Sequence, residues 1–239
     1  MSSTSKKPFQ VFLSCEHASN AVPAMLKKYF SSKKARELLQ THHGFDIGAA
    51  DVLAFLEKEL SPAFVQKGSL TRLSIDLNRN SNRHSRYSKF TENATEAEKS
   101  ELEVYFSKYR EAMLQELDST FKTSNNATAV HLSIHSFTNK LNGAVRNADL
   151  GILYDPARTS EVKFAKEWKQ RINKADPQIR VRFNYPYLGK TDGHATALRK
   201  RYSKNYIGFE VEMNQDWLSK ANKETVAKLL ASTLPLNNL

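Results

Sequence analysis

The chain has a single cysteine, Cys15, in 239 residues, so an internal disulfide is excluded. A chain of this length buries roughly 70–75% of its unfolded surface and needs no such staple. The lone thiol fits a reducing compartment. Nothing approaches the roughly 20 consecutive apolar residues that span a bilayer. Met1 to Pro8 is basic but lacks the apolar core and small-residue cleavage site of a secretory signal. These absences predict a soluble, cytoplasmic protein with no membrane partner. Internal repeats, heptads, low-complexity tracts and linkers are also missing, which predicts one domain over residues 1–239.

What the chain has in excess is positive charge, a formal +11. Such an excess can mark a nucleic-acid-binding protein. Here the basic residues are dispersed, as Lys27 and Lys28, Lys33 and Lys34, Arg83 and Arg86, then Lys200 and Arg201. No basic helix face with interleaved aromatics forms, so the charge reads as a solvated surface whose field attracts a small anionic substrate rather than nucleic acid.

Short apolar runs predict strands at 9–14, 63–66, 70–77, 129–134, 150–154, 179–183 and 207–213. Helical spacing marks 22–30, 33–39 and 47–60, the last with Asp46 as N-cap. Residues 78–95 are polar and predict a long surface loop. Thr95 and Glu98 have capping-box spacing and open a helix over 96–122. Residues 160–174 and 217–234 are the remaining helices. Strands alternating with helices predict an α/β fold: a single-domain, mostly parallel or mixed open sheet with helices on both faces.

Several apolar runs stop at residues able to bind a metal, move a proton or hold an anion. The clusters are 15–20, 74–80, 134–137 and 209–212. In open α/β sheets ligands collect beyond the carboxyl ends of the strands, so four such clusters predict a metal hydrolase. His17, directly after the first strand, suits a metal, though a single loop histidine can serve only as a hydrogen-bonding group. Glu16 alternates to the other side of an extended backbone and reads as outside the site. Asp46 is either a carboxylate ligand or a plain cap. His42 and His43 lie just before it, and His43 with Asp46 is an alternative pair. Asn20 is a further possible ligand, although amide oxygens bind zinc poorly. His131, Ser133 and His135 share one strand face; His135 is the better ligand and His131 the better core histidine. Glu210 and Glu212 share a face too, as a general base or as edge-strand charges. Arg79 offers a planar bidentate fork and Asn78 an amide beside it, or both are loop structure.

Residues 15–23, His42 with 46–49, 72–79, 134–138 and 184–189 resemble the N-formylglutamate amidohydrolase family, in order, from about residue 10 to 218. That family is similar in fold and site to the zinc-dependent carboxypeptidases, which implies a zinc-exopeptidase-like, phosphorylase/hydrolase-like sheet. The resemblance implies one zinc per chain with His17 and His135 as ligands, Asn78 and Arg79 holding a substrate carboxylate or oxyanion, and Glu212 as base. The third carboxypeptidase ligand falls at Asn20 by spacing; Asp46 is assigned that place instead. Asn184, Tyr187, Gly189 and 192–194 are expected in a substrate-covering loop. The implied reaction is hydrolysis of N-formyl-L-glutamate to formate and glutamate. Other N-acyl amino acids, and peptide or cell-wall amides cut in a carboxypeptidase-like manner, remain alternatives.

Overall fold

In a computed structural model, residues 9–79 and 84–236 are described. The polar loop residues Asn80 and Arg83, and the Met1–Pro8 segment, lie outside the described residues. The elements are β1 (Phe9–Cys15), α1 (Lys33–Leu39), α2 (Ala49–Leu60), β2 (Phe64–Lys67), α3 (Glu96–Thr123), β3 (Thr128–Phe137), β4 (Lys140–Leu141), β5 (Ala144–Val145), β6 (Leu150–Leu153), α4 (Thr159–Ala175), β7 (Val181–Phe183), α5 (His194–Arg201), β8 (Tyr206–Asn214), α6 (Gln215–Lys220) and α7 (Lys223–Thr233). Six strands form one sheet in the order β2-β1-β3-β8-β6-β7. All neighbours are parallel except β6 against β8.

Period-two alternation divides the strands between two faces. Val11, Leu13, Val130, Leu132, Ile134, Phe209 and Val211 turn to one face, packed against Leu53 and Leu56 of α2, Phe164 and Trp168 of α4, and Leu230 of α7. Phe12, Ala129 and Tyr206 turn to the other, against Met113 and Leu117 of α3 and Leu198 of α5. Towards the carboxyl ends this second face becomes polar. Ser14, His131, Ser133, His135, Glu210 and Glu212 follow one another there, His135 lying opposite Glu212 in the β3–β8 register.

The single-domain α/β sheet covered on both faces is as the sequence predicts. Thr95 caps α3: its hydroxyl accepts from the Glu98 amide, and the Glu98 carboxylate accepts from the Thr95 amide. Thr95→Ala is expected to cost about 1 kcal/mol of stability without changing turnover. Urea melts check the first; an unchanged midpoint refutes the cap's contribution.

Three expectations fail. Residues 70–77 form turns, not a strand; Ile75 and Leu77 alternate because this irregular segment packs on Leu102 and Phe106 of α3. The expected helix over 217–234 divides at Ala221, where Asn222 accepts from the Glu224 and Thr225 amides and starts α7 afresh. The helix expected from 47 begins at Ala49. Gly48 is its N-cap, at a φ of 82° that favours glycine, and Asp46 does not cap it.

The two-residue strands β4 and β5 escaped the sequence reading, and so did the helix α5. Its position is set by Arg199, which bonds fully buried Glu161 through Nε at 2.9 Å and the Gly189 and Gly208 carbonyls through its terminal nitrogens. Arg199→Met is expected to destabilise by about 3 kcal/mol, near the low end for a broken buried pair, because Arg158 stays 3.1 Å from Glu161. Chemical denaturation measures this; a loss below about 1 kcal/mol contradicts it.

Candidate metal centre and active site

The carboxyl ends of β1, β3 and β8 open into a cavity of about 490 Å³. Its wall carries His17, His42, Asp46, Arg72, Asn78, Arg79, His135, Tyr187, Asp192, Glu210 and Glu212 among others. His17 stands two residues past β1, in a turn. His135 is the eighth residue of β3. Asp46 reaches them from the segment before α2, whose backbone is tied to β1 by the Asp46 amide donating to the His17 carbonyl at 2.9 Å.

One donor atom from each of His17, Asp46 and His135 can be chosen so that all three lie within 4.8 Å of one another. Asp46 Oδ2 is 2.8 Å from His135 Nδ1 and 3.4 Å from His17 Nδ1. All three residues are buried. Burial alone would raise the Asp46 carboxyl, but the His17 charge and a hydrogen bond from His135 hold it well below the usual carboxylate range. Burial works equally against a charged His135, and hydrogen bonds to Asp46 and Glu16 outweigh it, holding this imidazole well above its ordinary value. His17 is raised too: burial and Arg72 oppose its charge, Asp76 and Asp46 favour it.

Each imidazole is gripped from behind by a carboxylate. Asp76 Oδ1 lies 2.7 Å from His17 Nε2, and Arg72 clamps Asp76 from the other side at 2.9 Å. Glu16 Oε2 lies 3.2 Å from His135 Nε2. Glu16 does not line the cavity, as alternation predicts, yet it contacts a candidate ligand. Alternation does not reach that contact, because residues 16 and 17 are already in a turn, where period two no longer holds. Hydrogen bonds from His135 and His194 overcome burial and keep the Glu16 carboxyl well below its usual range.

Two buried polar atoms among the described residues have no hydrogen-bond partner at this cavity, His17 Nδ1 and Glu212 Oε2. Orphaned buried polar atoms call for an explanation, of which a bound ion or water is one. Two imidazoles and one carboxylate, with open space beside them, are the donor set of a catalytic zinc site, which keeps one position free. The residues therefore fit the metal. Burial pushes the Glu212 carboxyl up to about 8, with His135 pulling it down and Asp46 and Glu210 pushing it further up. That is near the range in which a base works at neutral pH.

The other candidates fall into place as follows. Glu210 Oε1 accepts from Asn78 Nδ2 at 3.2 Å, and Asn78 Oδ1 accepts from the His194 amide at 2.7 Å. Asn78 thus lines the cavity with its amide group engaged. Gly193, at the start of α5, permits this close approach, since a Cβ there would sit 2.8 Å from Glu210 Oε1. Arg79 and Tyr187 line the cavity; Tyr187 is 47% exposed and its hydroxyl lies 3.4 Å from Arg146 Nη2. Asn184 does not line it. Its Oδ1 accepts from the Tyr154 and Gly189 amides, so it braces the loop that carries Tyr187. Asn20 donates to Gln40, away from the three donors. His42 lines the wall and His43 packs on it, rings 4.1 Å apart, outside the three-donor group. His131 is satisfied in the core by Ser14 at 2.8 Å and Tyr206 at 2.6 Å.

The family model described as N-formylglutamate amidohydrolase matches residues 9–219. No curated protein matches the chain. A gene product from Agrobacterium tumefaciens of known crystal structure superposes with a TM-score of 0.75 at 20% identity, over 94% of this chain and 88% of that one. The N-formylglutamate amidohydrolase from Ralstonia eutropha superposes with a TM-score of 0.68 at 13% identity, over 96% and 93%. A metallo-carboxypeptidase from Pseudomonas aeruginosa reaches a TM-score of only 0.37 at 12% identity, covering 98% of this chain and 58% of that one, too slight a likeness to establish a shared fold. No helix among the described residues is long and apolar enough to cross a membrane.

Proposed function

Because the chain belongs to the N-formylglutamate amidohydrolase family, a family of hydrolases acting on carbon–nitrogen bonds, we propose that it is a zinc-dependent amidohydrolase of N-acyl amino acids. N-formyl-L-glutamate, cleaved to formate and glutamate, is the leading substrate. The observation that carries the reading is the convergence of His17, Asp46 and His135 within bonding reach of one ion, beside Glu212 in one cavity.

His17, Asp46 and His135 would hold one zinc per chain. Bound there, it would supply Lewis acidity towards the scissile carbonyl and the attacking water. Glu212 accepts the proton of the attacking water and returns it to the departing amine. Its unpartnered Oε2 and its place opposite His135 favour it over Glu210, whose carboxylate is engaged by Asn78. Arg79 supplies a cationic fork at the cavity wall for the substrate carboxylate or the oxyanion; a donor aimed at developing oxyanion charge contributes about 3–4 kcal/mol. Asn78 keeps Glu210 and the start of α5 in register with that wall. Tyr187, carried on the loop braced by Asn184, closes the outer side. The surplus of positive charge over the whole chain favours the approach of an anionic substrate.

The test is a release assay across a panel of N-acyl amino acids and short peptides, with formate and free amino acid followed separately and metal content measured on the same sample. Formate and glutamate released in equal amounts by zinc-loaded protein support the assignment. Release from peptides alone would move it to the carboxypeptidase-like alternative.

A further inference from the structure

We infer that Glu16, acting through Ser133, is a positioning residue that fixes the tautomer of His135 so that Nδ1 is the nitrogen presented to the metal. This rests on the reading of His135 as a ligand and extends it to a residue behind the site. Glu16 is 1% exposed and sits beneath β3 on the α3–α5 side of the sheet. Ser133 Oγ donates to Glu16 Oε2 at 2.5 Å and lies 2.8 Å from His135 Nε2. A hydroxyl has one hydrogen to give. With that hydrogen directed at the carboxylate, Ser133 can only accept from His135, so Nε2 carries the ring hydrogen. Nδ1 lies 2.8 Å from the acceptor-only Asp46 Oδ2 and donates to it while no ion is bound, so the Nδ1 hydrogen is the one a metal displaces and the Nε2 hydrogen is the one that stays.

The polarity of this chain depends on an acceptor-only group at position 16. The second Glu16 oxygen is held in the same sense, by the Tyr109 hydroxyl donating at 3.3 Å and by His194 Nδ1 at 2.9 Å. An amide in place of the carboxylate could donate to Ser133 instead. Ser133 would then donate to Nε2, and the hydrogen would move to Nδ1, the nitrogen the metal needs. Asp76 holds Nε2 of His17 directly at 2.7 Å, with no hydroxyl between. At His135 the Glu16 carboxylate also faces Nε2 directly, at 3.2 Å, beside Ser133, so both acceptors hold the hydrogen on Nε2 and the Ser133 hydroxyl adds the sensitivity to an amide.

The experiment is zinc titration of the full chain and of Glu16→Gln against a chromophoric chelator, with histidine ¹⁵N spectra of the zinc-loaded wild type. Glu16→Gln is expected to bind zinc about 10–100-fold more weakly, the range for loss of a partner behind a ligand. Its metal-free melting temperature should stay close to that of the wild type, which a purely structural role would not allow. His135 should be protonated at Nε2 with Nδ1 shifted by the metal. A folded Glu16→Gln protein with wild-type affinity overturns the inference, and so does a His135 bound through Nε2. If the variant does not fold, the wild-type spectrum decides alone, Nε2–H supporting the inference and Nδ1–H overturning it. A wild type that binds no zinc removes the metal reading itself, whereas a wild type and variant that bind equally remove only this inference.

Discussion

Glu212→Gln is expected to lower kcat by about 10²–10⁴-fold, the usual contribution of a positioned general base, with zinc content and melting temperature close to wild type. The amide has nearly the shape of the acid, so packing under β8 survives, but it cannot take a proton from water. The acid is costly to keep in place: burial lifts Glu212 to about 8 and one of its oxygens has no partner. Replacing it with a neutral group therefore relieves a desolvation cost, and the variant should be at least as stable as the parent. Reduced turnover with preserved or raised stability is the signature of a functional acid. Turnover within threefold of wild type would reject Glu212, and Glu210→Gln, assayed beside it, would show whether the neighbouring carboxylate does the work.

His17→Ala is expected to abolish tight zinc binding and to reduce kcat/KM by at least about 10³-fold, since a bound Lewis acid supplies several kcal/mol and each 1.36 kcal/mol is tenfold in rate. The substitution leaves Asp76 with Arg72 and the Asn78 amide and removes one of three donors, so two-donor binding by Asp46 and His135 remains. Equilibrium dialysis with excess chelator gives the affinity, and added zinc should restore chelated wild type but not the variant. Activity that survives in chelated protein with no measurable metal would refute the zinc reading, whatever the variant does.

How far the site could be read in advance depended on whether each residue sits in a regular element. His135, Glu210 and Glu212 lie in strands, where period two places them on one face whatever the rest of the chain does. Asn184 sits in a loop at a φ of 48°, and its amide is taken up by backbone bracing that no local pattern announces. Asp46 reads equally as a cap or a ligand, because an acid precedes an apolar helical run, and only the family resemblance assigns it to the metal. The structure turns it into the cavity, with Gly48 left to start α2. Glu16 keeps off the cavity wall, as alternation predicts, but its contact with His135 arises in a turn, where period two says nothing.

The sequence by itself determined the strand faces, the start of α3, the covered sheet and the family, because alternation, capping and ordered motifs are local or near-local properties of the chain. Tertiary structure decided that His17 and His135, 118 positions apart, share Asp46, and that Asp76 and Glu16 stand behind them. Those contacts come from the turn after β1, the segment before α2 and the irregular segment after β2 meeting His135 on β3, and the angle at which a turn leaves its strand is set by what it packs against.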